Sequence, residues 1–347
     1  MKILVTGGLG YIGSHTAVEL SKNYETVIVD NLINSNISVL ERINKISFSK
    51  ICFELGDLTD IEVVRRIFEK HPDIKGIIHF AALKSVKESI IDPTSYYHNN
   101  IASLFNLLSK IKSNKMVINF IHSSSATVYG EPENLPIVES EKIKKATSPY
   151  AKTKQICEDI LTHFCELNDY FSCISLRYFN PIGAHKSCEI GELPKGVPQN
   201  LVPYITQSVA GVREKLTVFG DDYNTYDGTC VRDYIHIQDL ANAHISALNY
   251  LKENKVIKNE FFNIGTGKGT SVFEIIRSFE KVTGQKVNYK IGPRRPGDTE
   301  SAYSQNKKAK TVLGWKSKYS LEDALLSAWN WEKKNKRYKL ICFENSY

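Results

Sequence analysis

Three glycines near the N-terminus constrain the fold of this chain more than any other feature. A short apolar run occupies residues 3–5, and the pattern Gly7-x-x-Gly10-x-x-Gly13 follows it. A helical pattern then extends to about residue 23. Glycines between a buried strand and a helix permit a tight turn, a close approach to a pyrophosphate and close packing of helix on strand. The sequence therefore predicts a dinucleotide-binding α/β fold.

An acidic residue ends the second predicted strand. Residues 26–29 are apolar or β-branched, and Asp30 follows them. An acidic side chain about twenty positions after such glycines is where a dinucleotide fold binds the hydroxyl groups of the adenosine ribose. A carboxylate there would repel a 2′-phosphate, so the pattern favours NAD over NADP. Asn31, Asn34 and Ser35 continue the loop, and we expect them to cap the next helix while contacting the adenosine.

Strands and helices alternate along the first half of the chain. The sequence predicts further strands at residues 51–55, 76–80, 117–121 and 173–177, and helices at residues 62–70, 99–112 and 150–167. This alternation predicts parallel strands joined by right-handed crossovers. We therefore expect an α/β protein with a Rossmann-type doubly wound parallel sheet and a smaller mixed α/β C-terminal substrate lobe.

The alternation weakens in the second half of the chain. Stretches rich in glycine and proline predict loops that build a second pocket wall, at residues 191–203 and 220–228. Helices are predicted at residues 200–210, 237–251, 271–282 and 321–331. We predict an NAD-binding domain over residues 1–180, with later crossing segments at about 230–265, and a mainly substrate-binding lobe over residues 181–347.

Composition excludes several classes of protein. The chain has 347 residues, of which 42% are hydrophobic and 24% charged, as in ordinary globular proteins, and no signal sequence or membrane span is predicted. Seven cysteines show no metal-ligand spacing, so we expect reduced thiols, a cytoplasmic location and no metal. The net charge of +7 comes partly from residues 333–337, which we expect to be a solvated tail and not a nucleic-acid patch.

Small and hydroxyl-bearing residues follow two of the predicted strands. Residues 80–82 are Phe-Ala-Ala, and small side chains there would let a cofactor lie against the strand ends. Lys84 either contacts the cofactor or is an ordinary surface lysine. The strand at 117–121 leads into three serines at 123–125, which we expect at the carboxyl edge of the sheet, where open α/β folds bind ligands.

Tyr150 and Lys154 stand four residues apart at the beginning of a predicted helix. Such positions share a helix face, so the phenol and the ammonium can point into the same space. A free tyrosine has a pKa near ~10, and an adjacent positive charge favours the phenolate. We expect Lys154 to lower the pKa of Tyr150, helped by a cationic nicotinamide, although such a pair taken alone is more often just an ordinary helix face.

Several stretches together resemble one known family. They are TGGLGYIGSHT (6–16), SSSATVYG (123–130), SPYAKTK (148–154), LRYFNPIGAH (176–185), NLVPY (200–204), DGTCVRDYIHIQDLA (227–241) and PRRPGD (293–298). They resemble the extended short-chain dehydrogenase/reductase superfamily and, within it, the UDP-glucose 4-epimerase family, over nearly the whole chain. The resemblance implies an isomerase of galactose metabolism that interconverts UDP-glucose and UDP-galactose by transient oxidation at C4, with tightly bound NAD. It also implies a cytoplasmic homodimer with contacts near residues 99–112 and 150–168.

The resemblance implies a role for each matching position. Tyr150 is the expected general base, Lys154 binds the nicotinamide ribose, and Ser125 hydrogen-bonds the sugar 4-hydroxyl. The positions expected to bind NAD are Gly7, Gly10, Tyr11, Ile12, Gly13, Asp30, Asn31, Asn34, Ser35, Asp57, Leu58, Phe80, Ala81, Ala82, Lys84, Asn99, Ser123, Tyr150, Lys154 and Tyr178. The positions expected to bind the UDP-sugar are Lys84, Ser125, Ala126, Thr127, Tyr150, Phe179, Asn180, Asn200, Leu201, Thr217, Val218, Phe219, Arg232, Tyr234, Arg295, Asp298 and Ala302.

One position bears on substrate choice, and two alternatives stay open. Some members of the family carry a bulky tyrosine beside C2 of the sugar, and those that accept N-acetylated sugars carry a small residue there. The matching residue is Ala302, so the resemblance also predicts turnover of UDP-GlcNAc and UDP-GalNAc.

A related 4,6-dehydratase would need an Asp-Glu pair where this chain has Ala126-Thr127. A non-catalytic NAD-binding regulator would not need the tyrosine, lysine and serine.

Overall fold

The computed structural model describes residues 1–254, 258–295 and 297–344, and for residues 336–344 only the course of the helix. The strands are β1 (Lys2–Thr6), β2 (Glu25–Asp30), β3 (Cys52–Leu55), β4 (Ile74–His79), β5 (Ile118–Ser125), β6 (Phe171–Tyr178), β7 (Asn180–Ile182), β8 (Leu216–Phe219), β9 (Val231–Arg232), β10 (Tyr234–His236), β11 (Glu260–Ile264), β12 (Thr270–Ser271), β13 (Tyr289–Gly292) and β14 (Ser301–Ala302). The helices are α1 (Tyr11–Leu20), α2 (Ser38–Ile46), α3 (Ile61–Lys70), α4 (Val86–Ile91), α5 (Pro93–Ser113), α6 (Pro149–Leu167), α7 (Leu201–Val209), α8 (Ile237–Glu253), α9 (Val272–Thr283), α10 (Lys307–Val312) and α11 (Leu321–Glu344).

A seven-stranded parallel sheet organises the larger lobe. Its strand order is β11-β6-β5-β4-β1-β2-β3, and every neighbouring pair is parallel. The order reverses at β1, because β2 and β3 lie on one side of it and β4 on the other. Sheets of this kind bind ligands outside the carboxyl ends of the strands at that reversal. The predicted Rossmann-type doubly wound sheet is confirmed.

Helices cover both faces of the sheet, which explains why its strands are nearly continuous apolar runs. In β1, Ile3 and Val5 belong to an apolar cluster with α1 and α8, whereas Leu4 belongs to a cluster with α3, α5 and α6. All three side chains are fully buried. Because successive strand residues point to opposite faces, a shift of one residue would exchange these sets, and the pattern therefore fixes the register.

The smaller lobe is built from short strands and the later helices. Strand β8 pairs with β13 in parallel, and β9 pairs with both β12 and β14. Helices α7, α9 and α11 surround an apolar cluster that includes Ile205, Phe279 and Trp329. Strand β11 returns to the large sheet and pairs with β6. The domain boundaries stay a prediction. Within the described ranges, no helix has the length and apolar character that crossing a membrane requires.

Two of the predicted helices are longer than the sequence indicated. Helix α5 begins earlier, at Pro93, because Asp92 accepts a hydrogen bond from the Ser95 N–H (3.1 Å) and caps it. Helix α11 continues past the predicted end, so the basic run at 333–337 is helical. Within the described part of this run, Lys333 is exposed as expected, whereas Lys334 Nζ donates to the carbonyl of Ser187 (3.2 Å). The side chains at 336 and 337 lie outside the described residues.

Buried histidines make the fold sensitive to acid. Burial lowers the pKa of His15 and His79 to about 3 and that of His236 and His244 to about 4. Burial also holds the pKa of His122 well below its ordinary value, and neither ring nitrogen of His122 has a hydrogen-bond partner. All five rings are therefore neutral in the folded protein near neutral pH.

We predict that the free energy of unfolding falls as the pH falls from about 6.5 towards about 4. In that window the unfolded chain binds a proton at each of these histidines and the folded chain does not, so each contributes up to about 1.4 kcal/mol per pH unit. Urea unfolding midpoints measured between these pH values test this. Replacing the exposed His163 with glutamine should leave the pH slope unchanged. A midpoint that does not move on acidification would contradict the prediction.

Candidate active site

The turn after β1 brings the first glycines against the end of β4. Gly7 has a φ of 64°, and a Cβ added to it would lie 2.9 Å from the Ala81 nitrogen. At Gly13 an added Cβ would lie 2.4 Å from the Gly7 carbonyl oxygen. Gly10 precedes α1, and no side chain caps that helix. A cradle that a side chain would fill, beside uncapped helix N–H groups, fits a pyrophosphate.

Asp30 ends β2 beside this turn and is buried. One carboxylate oxygen accepts from the Leu9 N–H (3.0 Å), and the other accepts from the Leu32 N–H (2.9 Å) and the Ser35 hydroxyl (2.7 Å). The carboxylate is thus fixed between the glycine turn and the following loop. Its negative charge fits a ribose diol and disfavours an added phosphate.

The loop after β2 does not cap α2 in the way the sequence suggested. Among the described residues no side chain caps α2 at its N-cap residue, Ile37; Asn36 Oδ1 accepts from the N–H of Ser38, the first residue of the helix (2.9 Å). Asn31 instead donates to Asp57 Oδ2 (2.9 Å), and Asn34 is exposed. Burial opposes the charge on Asp57, but hydrogen bonds from Thr59 and Asn31 hold the pKa of Asp57 below its ordinary value. The expectation that Asn31, Asn34 and Ser35 cap the helix is therefore wrong.

The segment after β4 is held by a residue that the sequence analysis missed. Asn100 Oδ1 accepts from the Leu83 N–H (2.8 Å), and Asn100 Nδ2 donates to the Leu83 carbonyl (3.0 Å) and the Thr153 hydroxyl (3.0 Å). This amide ties α5, α6 and the loop together. The sequence reads Asn99-Asn100, and nothing local distinguishes the buried amide from its half-buried neighbour. Near the same loop, the Ala81 N–H donates to Thr6 Oγ1 (3.2 Å).

The three serines end β5, and each has a different partner. The Ser123 hydroxyl is hydrogen-bonded to the phenol of Tyr178 at the end of β6. Ser124 Oγ donates to Glu158 Oε1 (2.6 Å). Ser125 Oγ accepts from both the Thr127 N–H (3.2 Å) and the Thr127 hydroxyl (3.0 Å). The predicted row of hydroxyls therefore lies at the carboxyl edge of the sheet, but Ser124 is bonded to the buried Glu158.

Tyr150 and Lys154 lie in the first turns of α6, where Ser148 caps the helix by accepting from the Ala151 N–H (3.2 Å). Lys154 Nζ donates to the Ser123 carbonyl (2.6 Å), and the half-buried Tyr150 phenol lies close enough to Ser125 for the serine hydroxyl to act on its pKa. Lys154 Nζ lies 6.0 Å from the centroid of the Tyr150 ring. Helix α6 thus presents phenol and ammonium to the end of β5, on one helix face.

The protonation of this pair differs from the expectation. Burial raises the pKa of Tyr150 to about 12, although the hydrogen bond from Ser125 acts in the opposite direction. Burial also lowers the pKa of Lys154 from its ordinary value. Lys154 therefore does not lower the pKa of Tyr150 as the sequence analysis expected. A further positive charge at this edge is needed to favour the phenolate.

A buried ion pair on the same helix face ties the site together. Arg177 Nε and Nη2 donate to the two carboxylate oxygens of Glu158 at 2.9 and 2.7 Å. Arg177 also donates to the Tyr129 phenol (3.1 Å), which in turn donates to Asn263 Oδ1 (2.6 Å). The Glu158 pairing raises the pKa of Arg177, against burial, which lowers it. The sequence analysis missed this pair, although Glu158 follows Lys154 at the helical spacing of four.

Charged residues meet in the smaller lobe. Arg295 donates from Nη2 and Nε to the carboxylate of Asp298 at 2.8 and 3.0 Å, and Arg232 Nη2 lies 3.9 Å from the same carboxylate. The Arg295 guanidinium lies 5.6 Å from the centroid of the Phe219 ring, which is 42% exposed. Asp233, the next residue after Arg232, does not join this group, because it is buried and accepts from the Ser304 hydroxyl (2.6 Å). The structure therefore gathers an aromatic ring, two arginines and a carboxylate.

The remaining predicted positions are distributed around these groups. In the larger lobe, Tyr11 and Ile12 begin α1, Leu58 follows β3, Phe80, Ala82 and Lys84 follow β4, and Asn99 lies in α5. After β5, Ala126 begins the 3₁₀ turn Ala126–Tyr129, Phe179 links β6 to β7, and Asn180 begins β7. In the smaller lobe, Asn200 precedes α7 and Leu201 begins it, Thr217 and Val218 lie in β8, Tyr234 begins β10 and Ala302 ends β14. In the part of the chain that is described, no hydrogen bond joins the side chains of Asn34 or Asn99 to the other predicted positions. The roles of all these residues stay predictions.

A second cluster of ligating side chains lies at the opposite end of the strands. Cys52, Glu54 and His71 place their ligand atoms within 4.8 Å of one another. Lys70 Nζ (2.7 Å) and His71 Nε2 (3.0 Å) both contact Glu54 Oε1, so an ion pair accounts for the buried carboxylate. The prediction that the protein has no metal stays a prediction.

Comparison with known proteins gives a class that agrees with this geometry. A sequence-family model described as GDP-mannose 4,6 dehydratase matches residues 4–327. Together with the doubly wound sheet and the Tyr-x-x-x-Lys pair, this match defines an extended short-chain dehydrogenase/reductase, as the sequence predicted.

Individual relatives narrow the class. A UDP-glucose 4-epimerase of Pasteurella multocida is 46% identical over 336 residues, covering 96% of this chain and 98% of that protein. The structure of a UDP-glucose 4-epimerase from Bifidobacterium longum in complex with NAD+ and UDP has a TM-score of 0.93 and 42% identity, covering 97% of this chain and 99% of that one. A UDP-Glc/GlcNAc 4-epimerase of Campylobacter jejuni has a TM-score of 0.81 and 37% identity, covering 96% and 99%. This chain belongs to the UDP-glucose 4-epimerase family.

Proposed function

We propose that this protein interconverts UDP-glucose and UDP-galactose by transient oxidation at C4 of the sugar, with NAD bound throughout. The observation that carries the proposal is the half-buried Tyr150 phenol, which lies beside Lys154 and close enough to Ser125 for that hydroxyl to act on its pKa, at the edge of the sheet where the glycine turn also lies. A phenol so placed can exchange a proton with a substrate hydroxyl. Such a proton exchange is half of an alcohol oxidation.

The residues of the carboxyl edge fit NAD. The glycine turn leaves room for a pyrophosphate, Asp30 offers a carboxylate to the ribose diol, and Lys154 and Tyr178 stand where the nicotinamide ribose is expected. When bound, NAD accepts the hydride from C4 and returns it. The positive charge of its ring is also what the Tyr150 phenol needs, because burial alone keeps the phenol neutral.

In the proposed reaction Tyr150 takes the proton of the 4-hydroxyl and later gives it back, and Ser125 orients that hydroxyl. Lys154 donates to the Ser123 carbonyl and keeps a positive charge near the phenol in both steps. The same two groups serve both directions, as epimerisation requires, because the sugar presents its other face when the hydrogen returns. The assignment rests on positions that match the family's motif.

The charged group of the smaller lobe supports a nucleoside diphosphate substrate. Arg232 and Arg295 carry fixed positive charges that suit a diphosphate, and the exposed Phe219 ring offers an apolar surface to a base. Asp298 now pairs with both arginines and can accept from a ribose hydroxyl. We propose that this group binds UDP and leaves the sugar free to reach Tyr150.

The alternatives are less well supported. A 4,6-dehydratase, the activity in the description of the matching family model, needs carboxylates beside the sugar, and the 3₁₀ turn after β5 carries Ala126 and Thr127 there. Glu158, the buried carboxylate nearby, is occupied by Arg177. A non-catalytic NAD-binding protein would have no need of a phenol held beside a serine and a lysine.

The cellular setting and the assembly are also proposals. Reduced cysteines support a cytoplasmic protein. We propose a homodimer formed by α5 and α6, which pack on each other; Phe105 on α5 is 57% exposed and Leu167 at the end of α6 is 82% exposed. Large exposed apolar side chains on neighbouring helices are common at interfaces between subunits.

N-acetylated sugars form a second proposed substrate class. Ala302 on β14 is half-buried and packs against the cluster of Val128, Tyr129 and Phe179. Its single methyl group is smaller than the tyrosine that some members of the family carry at this position. The Campylobacter jejuni relative is described as acting on UDP-Glc and UDP-GlcNAc, which supports the proposal.

We predict that the purified protein converts UDP-galactose to UDP-glucose without added NAD, and that Tyr150→Phe lowers kcat by about 10²–10⁴ because the proton acceptor is lost. Chromatographic separation of the two UDP-sugars measures both. Tyr170→Phe, which removes a phenol that donates to Asn168 Oδ1 and to no other group among the described residues, is the matched control and should keep the wild-type rate. Tyr150→Phe activity within a few-fold of wild type would show that another group is the base.

We predict that the wild type turns over UDP-GlcNAc and that Ala302→Tyr lowers kcat/KM for UDP-GlcNAc by at least about tenfold, because a phenol ring fills the space beside C2. The rate with UDP-galactose should change far less, and Ala302→Ser should keep both activities. If the wild type does not accept UDP-GlcNAc, or if Ala302→Tyr affects both substrates equally, Ala302 does not set the sugar specificity.

A further inference from the structure

One irregular segment touches the edge of the sheet at several places. The strap, residues 184–200, runs between β7 and α7, and its regular structure is one bridge between Ala184 and Gly191. Gly191 packs under the Trp331 ring, since an added Cβ would lie 2.5 Å from Trp331 Cγ. Trp331 Nε1 also donates to the Glu192 carbonyl (3.2 Å). Helix α11 therefore holds the middle of the strap in place.

The far part of the strap reaches the loop after β2. Lys195 Nζ donates to the Leu32 carbonyl (2.8 Å) and to the Ile33 carbonyl (2.9 Å). The Leu32 N–H in turn donates to Asp30 (2.9 Å), so the same loop holds the carboxylate that fits the adenosine ribose. Nearer the N-terminal end of the strap, Arg42 Nη1 donates to the Glu189 carbonyl (3.4 Å). The strap is thus bonded to the outer wall of the proposed cofactor groove.

The inner side of the strap carries a carboxylate that the sequence analysis missed. Glu192 Oε1 accepts from Asn200 Nδ2 (2.7 Å) and lies 3.7 Å from Lys84 Nζ. The Glu192 side chain is only 11% exposed. Burial, and then the charge of Glu192, raises the pKa of the Tyr11 phenol at the beginning of α1. Glu192 therefore stands among the glycine turn, the loop after β4 and the beginning of α7.

The strap and the residue before it reach the groove on three sides: the glycine turn through Tyr11, whose phenol donates to the Gly183 carbonyl (2.6 Å), the loop after β2 through Lys195 and the loop after β4 through Lys84. A dinucleotide lying from Asp30 to Tyr150 would run beside all three of these places. We propose that the strap closes the cofactor groove and that Lys195 is the latch that slows NAD release between turnovers. This inference rests on the proposed function, because it takes NAD as the molecule in the groove.

The latch has a physical basis in its charge. One ammonium shared by two adjacent carbonyls makes two charge-assisted hydrogen bonds, which are stronger than neutral ones. Lys195 is exposed, so solvent screening weakens them. The bonds join two segments that are far apart in sequence, and NAD can leave when they open. Removing the ammonium should therefore speed release more than it affects the stability of the whole fold.

The test measures release of NAD from the full-length protein as purified. Bound protein is diluted into excess labelled NAD, and the rate of exchange is measured for the wild type, Lys195→Ala, Lys195→Arg and Lys186→Ala. We expect Lys195→Ala to release NAD at least about fivefold faster, corresponding to about 1 kcal/mol. Lys195→Arg keeps a donor for the carbonyls and should restore slow release. Lys186, an exposed lysine of the same strap, is the matched control and should exchange like the wild type.

The outcomes separate the two proposals. A wild type that carries no NAD and does not epimerise UDP-galactose overturns the proposed function. A wild type that carries NAD and is active, while Lys195→Ala exchanges NAD at the wild-type rate, overturns the latch alone. Equal acceleration in Lys195→Ala and Lys186→Ala also overturns the latch, since a general loss of positive charge would then be the cause. Unfolding midpoints of the variants should match the wild type.

Discussion

The buried ion pair between Glu158 and Arg177 is the interaction on which the arrangement of the site depends. Tyr150, Lys154 and Glu158 follow one another at helical spacing on α6, and Arg177 belongs to β6. The bidentate pair therefore fixes the rotation and height of α6 against the sheet, and Ser124 joins it from β5. Both charges are almost fully buried, so losing one partner would leave the other uncompensated at a cost of about 3–5 kcal/mol. The ion pair therefore holds in place the helix face that carries Tyr150 and Lys154.

Much of the larger lobe was predictable because its signals are local. Glycines between strand and helix, an acidic residue at the end of β2 and apolar runs of strand length depend on a few neighbouring residues each. The errors arose where distant residues decide the outcome. Ser35 and Asn31 bond to Asp30 and Asp57 and do not cap α2. Asn100 and Glu192 carry no local signal, since Asn100 bonds to Leu83 and Thr153 and Glu192 pairs with Lys84, which are distant along the chain. Glu158 has a local spacing to Lys154, but its partner Arg177 lies on another element.

The protonation of Tyr150 shows how a correct motif can carry an incomplete explanation. Spacing placed the lysine near the phenol, but it could not show that loss of hydration opposes the charge of each group, raising the pKa of Tyr150 and lowering that of Lys154. The protein therefore holds a neutral phenol ready and leaves the decisive positive charge to a bound cofactor. Proton transfer is then tied to the presence of oxidised cofactor. The strap adds a reason for that cofactor to stay, because oxidation and reduction must occur on the same bound molecule in each cycle.

The central claim is that the hydrogen at C4 leaves and returns without mixing with solvent. UDP-galactose deuterated at C4, incubated with the protein in ordinary water, tests it directly by mass spectrometry and NMR of the UDP-glucose formed. Transient oxidation predicts that the product keeps its deuterium at C4, because the hydrogen is carried within the closed site. Loss of the label to solvent would contradict the account, since it would show that the carbon is deprotonated and reprotonated by exchangeable groups.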